Sequence, residues 1–225
     1  MSRYTKSVLA LLFPQRLCCH GCGCMLAAGE VSLCEPCREA LTLCTLKRKE
    51  EVLQFKPEQL LVAAAFAYDG MAAELTRSLK YASDMAAAQP LAEGMARRFA
   101  LMPQLRAAEV CVAVPAYPRQ AQLRGYAQAQ VLCDAFCAIT GLSQSPRMLR
   151  RIRYATSQVK KSRDERKKQI IGAFVIDDAM TDAVCDQTVL LIDDVLTTGA
   201  TVCECARMLY AAGARRVLAL TACKA

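Results

Sequence analysis

The 225-residue chain is 54% hydrophobic and 22% charged, ordinary for a globular protein and sufficient for one medium domain with a smaller companion. It contains no Asn, which excludes N-glycosylation, and no run nears the roughly 20 apolar residues of a membrane helix. The net charge of +8 lies between Arg147 and Lys168, where ten Lys or Arg oppose only Asp164 and Glu165; such a surplus suits a phosphate-rich ligand or nucleic acid.

At the N-terminus, Val8–Phe13 is only six apolar residues and Pro14 follows, so no secretory signal is expected. Fourteen cysteines follow, half of them within the first 44 residues and several in tight pairs. That placement points to reduced thiols of a cytoplasmic protein, some of them on metal, and away from a secreted disulfide framework. Cys19-x-x-Cys22 and Cys34-x-x-Cys37 are two knuckle-like pairs separated by 11 residues, a pattern that closes a tetrahedral four-sulfur shell around structural zinc. Cys18 and Cys24 flank the first pair and leave its register open. His20, the only histidine, could replace a cysteine but is not needed. A four-sulfur shell keeps no open coordination position, so the site is not catalytic.

A short helix is expected over Glu35–Leu46 and a charged linker over Lys47–Glu51, dividing a zinc-binding domain (1–58) from a larger domain (59–225). Beyond the division, Leu60–Tyr68 reads as a strand with Asp69-Gly70 as a turn, and Met71–Lys80 and Ala86–Leu101 read as helices. Val110–Val114 is a short buried strand and Gln120–Thr140 one long helix ending near Gly141. Cys133 and Cys137 share a face of that helix and are expected in the core. Ala173–Ile176, Val189–Ile192 and Val217–Ala222 read as strands and Ala200–Ala212 as a helix. This alternation predicts βα units on a mostly parallel sheet flanked by helices.

The informative run is Val189–Thr201, Val-Leu-Leu-Ile-Asp-Asp-Val-Leu-Thr-Thr-Gly-Ala-Thr. Four apolar residues make a strand buried on both faces that delivers Asp193 and Asp194 to its C-terminal end, where ligands sit in open α/β sheets. Gly199 admits a close backbone approach, the following helix offers free amides and a positive dipole end, and Thr197, Thr198 and Thr201 add hydroxyls. Two acids beside a phosphate nest would repel the phosphate, so they need another partner on the same ligand. A sugar phosphate supplies a diol for the acids, and Mg²⁺ on the ligand could sit nearby. With no histidine outside the cysteine cluster, a Ser-His or Cys-His nucleophile system is excluded in the large domain.

All thirteen positions, Val189–Thr201, agree with the phosphoribosyl-pyrophosphate (PRPP) motif of the type I phosphoribosyltransferases. The resemblance assigns Asp193 and Asp194 to the ribose hydroxyls and Thr197, Thr198, Gly199, Ala200 and Thr201 to the 5-phosphate. Zinc knuckles followed by this motif resemble the ComF/GntX family, which is linked to DNA uptake in competence. Leu12-Phe13-Pro14, Leu79-Lys80-Tyr81, Val114-Pro115 with Arg119, Arg124-Gly125-Tyr126 and Gln128, and then Arg151, Thr156, Gln158, Glu165-Arg166 and Gly172-Ala173-Phe174 follow that family's pattern. Ala127 and Gln169 stand where the family usually has Asn. Arg124 is the candidate for the pyrophosphate end, since a guanidinium fork grips phosphate oxygens in pairs, and Lys80 is a second candidate. The basic stretch Arg147–Lys168 corresponds to the family's mobile region over the active site.

The resemblance implies a Mg²⁺-dependent transfer of the phosphoribosyl group from PRPP to a nitrogenous acceptor. The competing function is a non-catalytic module that senses a sugar phosphate while the knuckles and basic stretch hold single-stranded DNA or a protein of the competence machinery. Tyr154 is the only aromatic residue in the basic stretch, which offers little for base stacking.

Overall fold

The computed structural model describes residues 18–30, 32–46, 51–54, 59–81, 84–152, 170 and 172–225. Leu12-Phe13-Pro14, most of the linker at 47–50, the domain division near 58, and Tyr154, Thr156, Gln158, Glu165, Arg166, Gln169 and the lysines of the basic stretch lie outside the described residues.

Six strands form the central sheet. They are β1 (Glu51–Gln54), β2 (Gln59–Ala67), β3 (Val110–Ala113), β4 (Ser143–Gln144), β7 (Thr188–Leu196) and β8 (Arg216–Lys224), in the order β1-β2-β8-β7-β3-β4. Every neighbouring pair is parallel except β1 with β2, so the expected mostly parallel sheet is borne out. The run of apolar residues at the centre has a physical consequence, because a strand covered on both faces must be apolar at every position. Leu190, Ile192, Leu218 and Leu220 point into one core with helices α2 (Gly70–Tyr81), α3 (Ala88–Leu101) and α6 (Gln128–Thr140), and Val189, Leu191, Val217 and Ala219 into the other with α7 (Ala200–Ala211). In α2 the buried Ala72, Leu75, Thr76 and Leu79 recur at helical spacing and fix which face meets the sheet.

Helix α1 (Glu35–Leu43) follows the cysteine region, with Pro36 in its first turn, where its missing N–H costs nothing. A short helix α4 (Pro103–Arg106) precedes β3. The expected helix Gln120–Thr140 is two helices, α5 (Pro118–Arg124) and α6, because Gly125 takes a left-handed φ of 80° that ends the first, and Ala127 is extended. Ala173–Ile176 was expected among the parallel strands. Instead β6 (Phe174–Ile176) pairs antiparallel with β5 (Leu149–Arg151) as a separate ribbon. The strand expected over Val189–Ile192 runs on through both aspartates to Leu196, since its ladder with β8 continues that far.

Candidate functional site

Asp193 and Asp194 lie near the C-terminal end of strand β7. The Asp194 amide donates to Asp193 Oδ1 at 2.9 Å and the Val195 amide to Asp194 Oδ1 at 2.6 Å, so the backbone itself orients both carboxylates. Lys80, in the last turn of α2, brings Nζ to 2.8 Å from Asp194 Oδ2. Burial, then the charge on Asp194, pushes the Asp193 carboxyl up to about 8, against the opposing pull of Lys80 and Arg151. Burial works against the Lys80 charge, but Asp194 and then Asp193 hold its ammonium above the ordinary lysine value.

After β7 the chain turns through Thr197, Thr198 and Gly199 into α7. Gly199 has φ +76°, and an added Cβ would stand 2.3 Å from Leu53 Cδ1 of β1. The Ala200 amide donates to Thr198 Oγ1 at 3.4 Å. Asp193, Thr197, Gly199, Ala200 and Thr201 line a concavity of about 30 Å³ over the start of α7, where free amides and the dipole favour an anion. It adjoins a larger cavity of about 490 Å³, within the usual range of ligand pockets, whose walls include Lys80, Arg124, Asp193, Asp194, Thr197 and Thr201. The two cavities thus bring together every non-cysteine candidate except Thr198, which lines neither. Two neighbouring carboxylates offer the hard oxygen donors that suit Mg²⁺.

Three further walls of the larger cavity had no role in the sequence reading. Arg151, from β5, places its guanidinium 3.6 Å from the Tyr117 ring centroid and 5.0 Å from that of Phe174. Tyr117 and Gln128 line the same cavity. Arg151 and Gln128 are among the residues that carry the family resemblance, but their separation along the chain gave no sign that both would reach the acid pair. Nothing marked Tyr117. Arg124 ends α5 with its guanidinium 5.7 Å from the Tyr81 ring centroid, and the Tyr126 hydroxyl donates to Leu79 O at 2.5 Å, tying this loop to the helix that carries Lys80.

In the N-terminal region, the sulfurs of Cys19, Cys22, Cys24 and Cys34 all lie within 4.8 Å of one another. The Cys37 thiol interacts with those of Cys34, Cys19 and Cys22, so a fifth sulfur stands beside the tight group, in which Cys24 takes the place expected for Cys37. Cys22 and Cys34 are 3.7 Å apart, close to the roughly 3.8 Å edge of a tetrahedron built on Zn–S bonds of about 2.3 Å. The amides of Gly21 and Cys34 each donate to Cys19 Sγ at 3.3 Å; burial opposes ionisation, but these amides with that of Cys22 hold the Cys19 thiol down at about 6. The residues therefore fit a zinc ion. His20 is not among the converging sulfurs; its Nδ1 lies 2.5 Å from Asp84 Oδ2, with both side chains buried. Cys133 and Cys137 are buried as expected, their sulfurs 4.0 Å apart, and Cys111 of β3 hydrogen-bonds to both. All fourteen cysteines are free thiols. Among the described residues no helix is long and apolar enough to cross a membrane.

Residues 124–225 match the phosphoribosyl transferase domain model. The chain is 30% identical over 113 residues to the DNA utilization protein YhgH of Salmonella typhi and to that of Salmonella typhimurium, covering 50% of this chain and 48% of each relative. It therefore spans about half the length of the curated relatives it matches. Among solved structures, the allosteric regulatory enzyme of purine biosynthesis is similar at 19% identity and TM-score 0.43, over 65% of this chain and 30% of the other. The glutamine PRPP amidotransferase from B. subtilis is similar at 15% identity and TM-score 0.44, over 79% of this chain and 36% of the other. Residues 124–225 thus match a phosphoribosyl transferase domain, half of the chain is similar in sequence to DNA utilization proteins, and a cysteine cluster able to hold zinc precedes them, the make-up of the ComF/GntX family that the sequence resembles.

Proposed function

We propose that the protein binds PRPP with Mg²⁺ and transfers its phosphoribosyl group to a nitrogenous acceptor, releasing pyrophosphate. One observation carries this reading: the end of β7, the turn after it and the last turn of α2 bring two aspartates, a threonine-lined concavity and a lysine onto adjoining cavities. The 5-phosphate sits over Thr197–Thr201, and the ribose diol donates to Asp193 and Asp194. Lys80 and Arg124 face the diphosphate. Mg²⁺, held by Asp193 and Asp194 with the ligand's oxygens, would supply charge neutralisation to the diphosphate. The acceptor nitrogen forms a bond to the anomeric carbon as the C1–O bond breaks, its electron pair leaves on the diphosphate, and the acceptor's N–H proton passes to solvent. Positioning and charge stabilisation are what these residues offer, and a dedicated nucleophile is not required.

On this reading residues 1–58 are a structural zinc domain with Cys19, Cys22, Cys34 and Cys37 as ligands and Cys18 and Cys24 as alternatives, residues 59–225 are the phosphoribosyltransferase-like domain, and the reduced thiols belong to a cytoplasmic protein. The test is pyrophosphate release on incubation with PRPP and a panel of bases and amines. Replacing Asp193→Asn together with Asp194→Asn should abolish PRPP binding measured by calorimetry in Mg²⁺; unchanged binding refutes the assignment. The similarity to DNA utilization proteins favours a second reading, in which the same cavity senses the sugar phosphate and the stretch Arg147–Lys168 holds single-stranded DNA. Neutralising Lys160, Lys161, Lys167 and Lys168 should then weaken DNA binding and flatten its salt dependence, and no change removes that role.

A further inference from the structure

Among the described residues, three buried side-chain nitrogen or oxygen atoms have no hydrogen-bond partner: Gln128 Nε2, Ser145 Oγ and Arg151 Nε. Buried polar atoms in folded proteins are almost always paired, so an orphan needs a reason. Two of the three belong to residues that line the same cavity of about 490 Å³. Gln128 is only 5% exposed. Both orphans are N–H donors, and Arg has no acceptor at all, so the missing partner is an oxygen with lone pairs.

The surroundings sharpen that partner. Rings of Tyr117 and Phe174 flank the Arg151 guanidinium and hold its plane. Gln128 opens the 13-residue helix α6, and Gln128 and Ala129 of its first turn both line the cavity, so the positive end of the helix dipole faces the same space. The acids that could neutralise this wall are Asp193 and Asp194, and Lys80 already pairs with Asp194. A group that only donates would leave both orphans unsatisfied; an anionic oxygen satisfies both.

We infer that Gln128 and Arg151 form a donor pair for the anionic oxygens of the diphosphate on the anomeric carbon. This rests on the proposed reading of the cavity: with the phosphate over Thr197–Thr201 and the diol on the acids, the anomeric substituent is the part of the ligand left for the remaining wall. A carboxylate on the acceptor would present the same chemistry, so the experiment separates the two sources.

The full-length protein is titrated by calorimetry in Mg²⁺ with PRPP and, separately, with ribose 5-phosphate, which lacks the diphosphate. The wild type binds both. Gln128→Glu, nearly isosteric, weakens PRPP roughly tenfold or more while ribose 5-phosphate stays within about twofold, and Arg151→Lys moves in the same direction. Equal loss for both ligands, or unchanged PRPP affinity, overturns the inference. So does a variant that keeps PRPP but loses the acceptor in the pyrophosphate-release assay, since the pair then serves the acceptor. A wild type that binds neither ligand overturns the cavity's reading and this inference with it. Should Arg151→Lys fail to fold, Gln128→Glu decides alone, its fold reported by retained ribose 5-phosphate binding.

Discussion

Replacing Gly199 by Ala tests the turn at the heart of the site. The backbone there has φ +76° and ψ −4°, a left-handed conformation that costs an L-residue about 1–2 kcal/mol. The new Cβ would also meet Leu53 Cδ1 at 2.3 Å, well inside contact distance. Leu53 is a side-chain end on edge strand β1 and can give way, so the lower half of the usual 1–3 kcal/mol overpacking cost applies, about 1–2 kcal/mol. The alanine stiffens the unfolded chain and returns about 0.4–1 kcal/mol. The net loss is about 2 kcal/mol, or a Tm drop of roughly 4–8 °C for a chain of this size. Urea unfolding of Gly199→Ala measures it directly. The same substitution in a Leu53→Ala background removes the clash and keeps the backbone strain, so about 1 kcal/mol should remain. A single-variant loss below about 0.5 kcal/mol, or a double-variant loss equal to the single, refutes the reasoning.

Three further outcomes follow from the same geometry. The Asp193 carboxyl titrates near 8 in the folded protein and near its ordinary 3.8 when unfolded, so the folded state keeps a proton the unfolded chain has released between those values. Its contribution to stability is therefore full below about pH 4 and is lost as pH rises through about 8, and Asp193→Asn should flatten this slope in urea unfolding; identical slopes would contradict the buried carboxyl. With five sulfurs converging, Cys24→Ser or Cys37→Ser alone should retain one zinc by mass or elemental analysis, whereas the double variant and Cys34→Ser should lose it and unfold at lower temperature. Gly94→Ala in α3 would bring a Cβ to 2.1 Å from the ring of buried Phe66; overpacking of about 1–3 kcal/mol or more outweighs the helix-propensity gain of about 1 kcal/mol, and a variant as stable as wild type would show that Phe66 moves freely.

The parts of the fold legible in the sequence are those set by local pattern. Strands β7 and β8 are runs of apolar residues with turn signals at their ends, and α2 and α7 repeat their apolar face at helical spacing, so β8, α2 and α7 could be placed within one or two residues and β7 at its start, its end lying four residues further on. What failed depended on partners far along the chain. A left-handed Gly125 in the middle of a continuous helical pattern splits it, and a lone glycine in such a pattern is tolerated as often as it breaks it. Phe174–Ile176 is as strand-like as any other short run, yet it pairs with Leu149–Arg151 instead of joining the sheet, and no local signal distinguishes the two destinations. Glu51–Gln54 begins at the end of the charged linker Lys47–Glu51 and gives no strand signal of its own, because an edge strand with one covered side carries little apolar pattern.

The site divides along the same line. Asp193, Asp194 and Thr197–Thr201 are contiguous, so their chemistry can be read as one strand, one turn and one helix start. Lys80, Arg124, Gln128 and Arg151 come from four separate elements, and only the crossovers of the parallel sheet carry them to the end of β7. The resemblance put these residues on the page; it did not say which would face the acids. Lys80 does so through an ion pair that neutralises half of the acid pair, which keeps two adjacent carboxylates in one buried place. Any anion that enters must draw Lys80 away from Asp194 or find its positive partners elsewhere. Gln128 and Arg151 line the same cavity and neither is ion-paired to Asp194, so they can receive an anion while the Lys80–Asp194 pair stays closed.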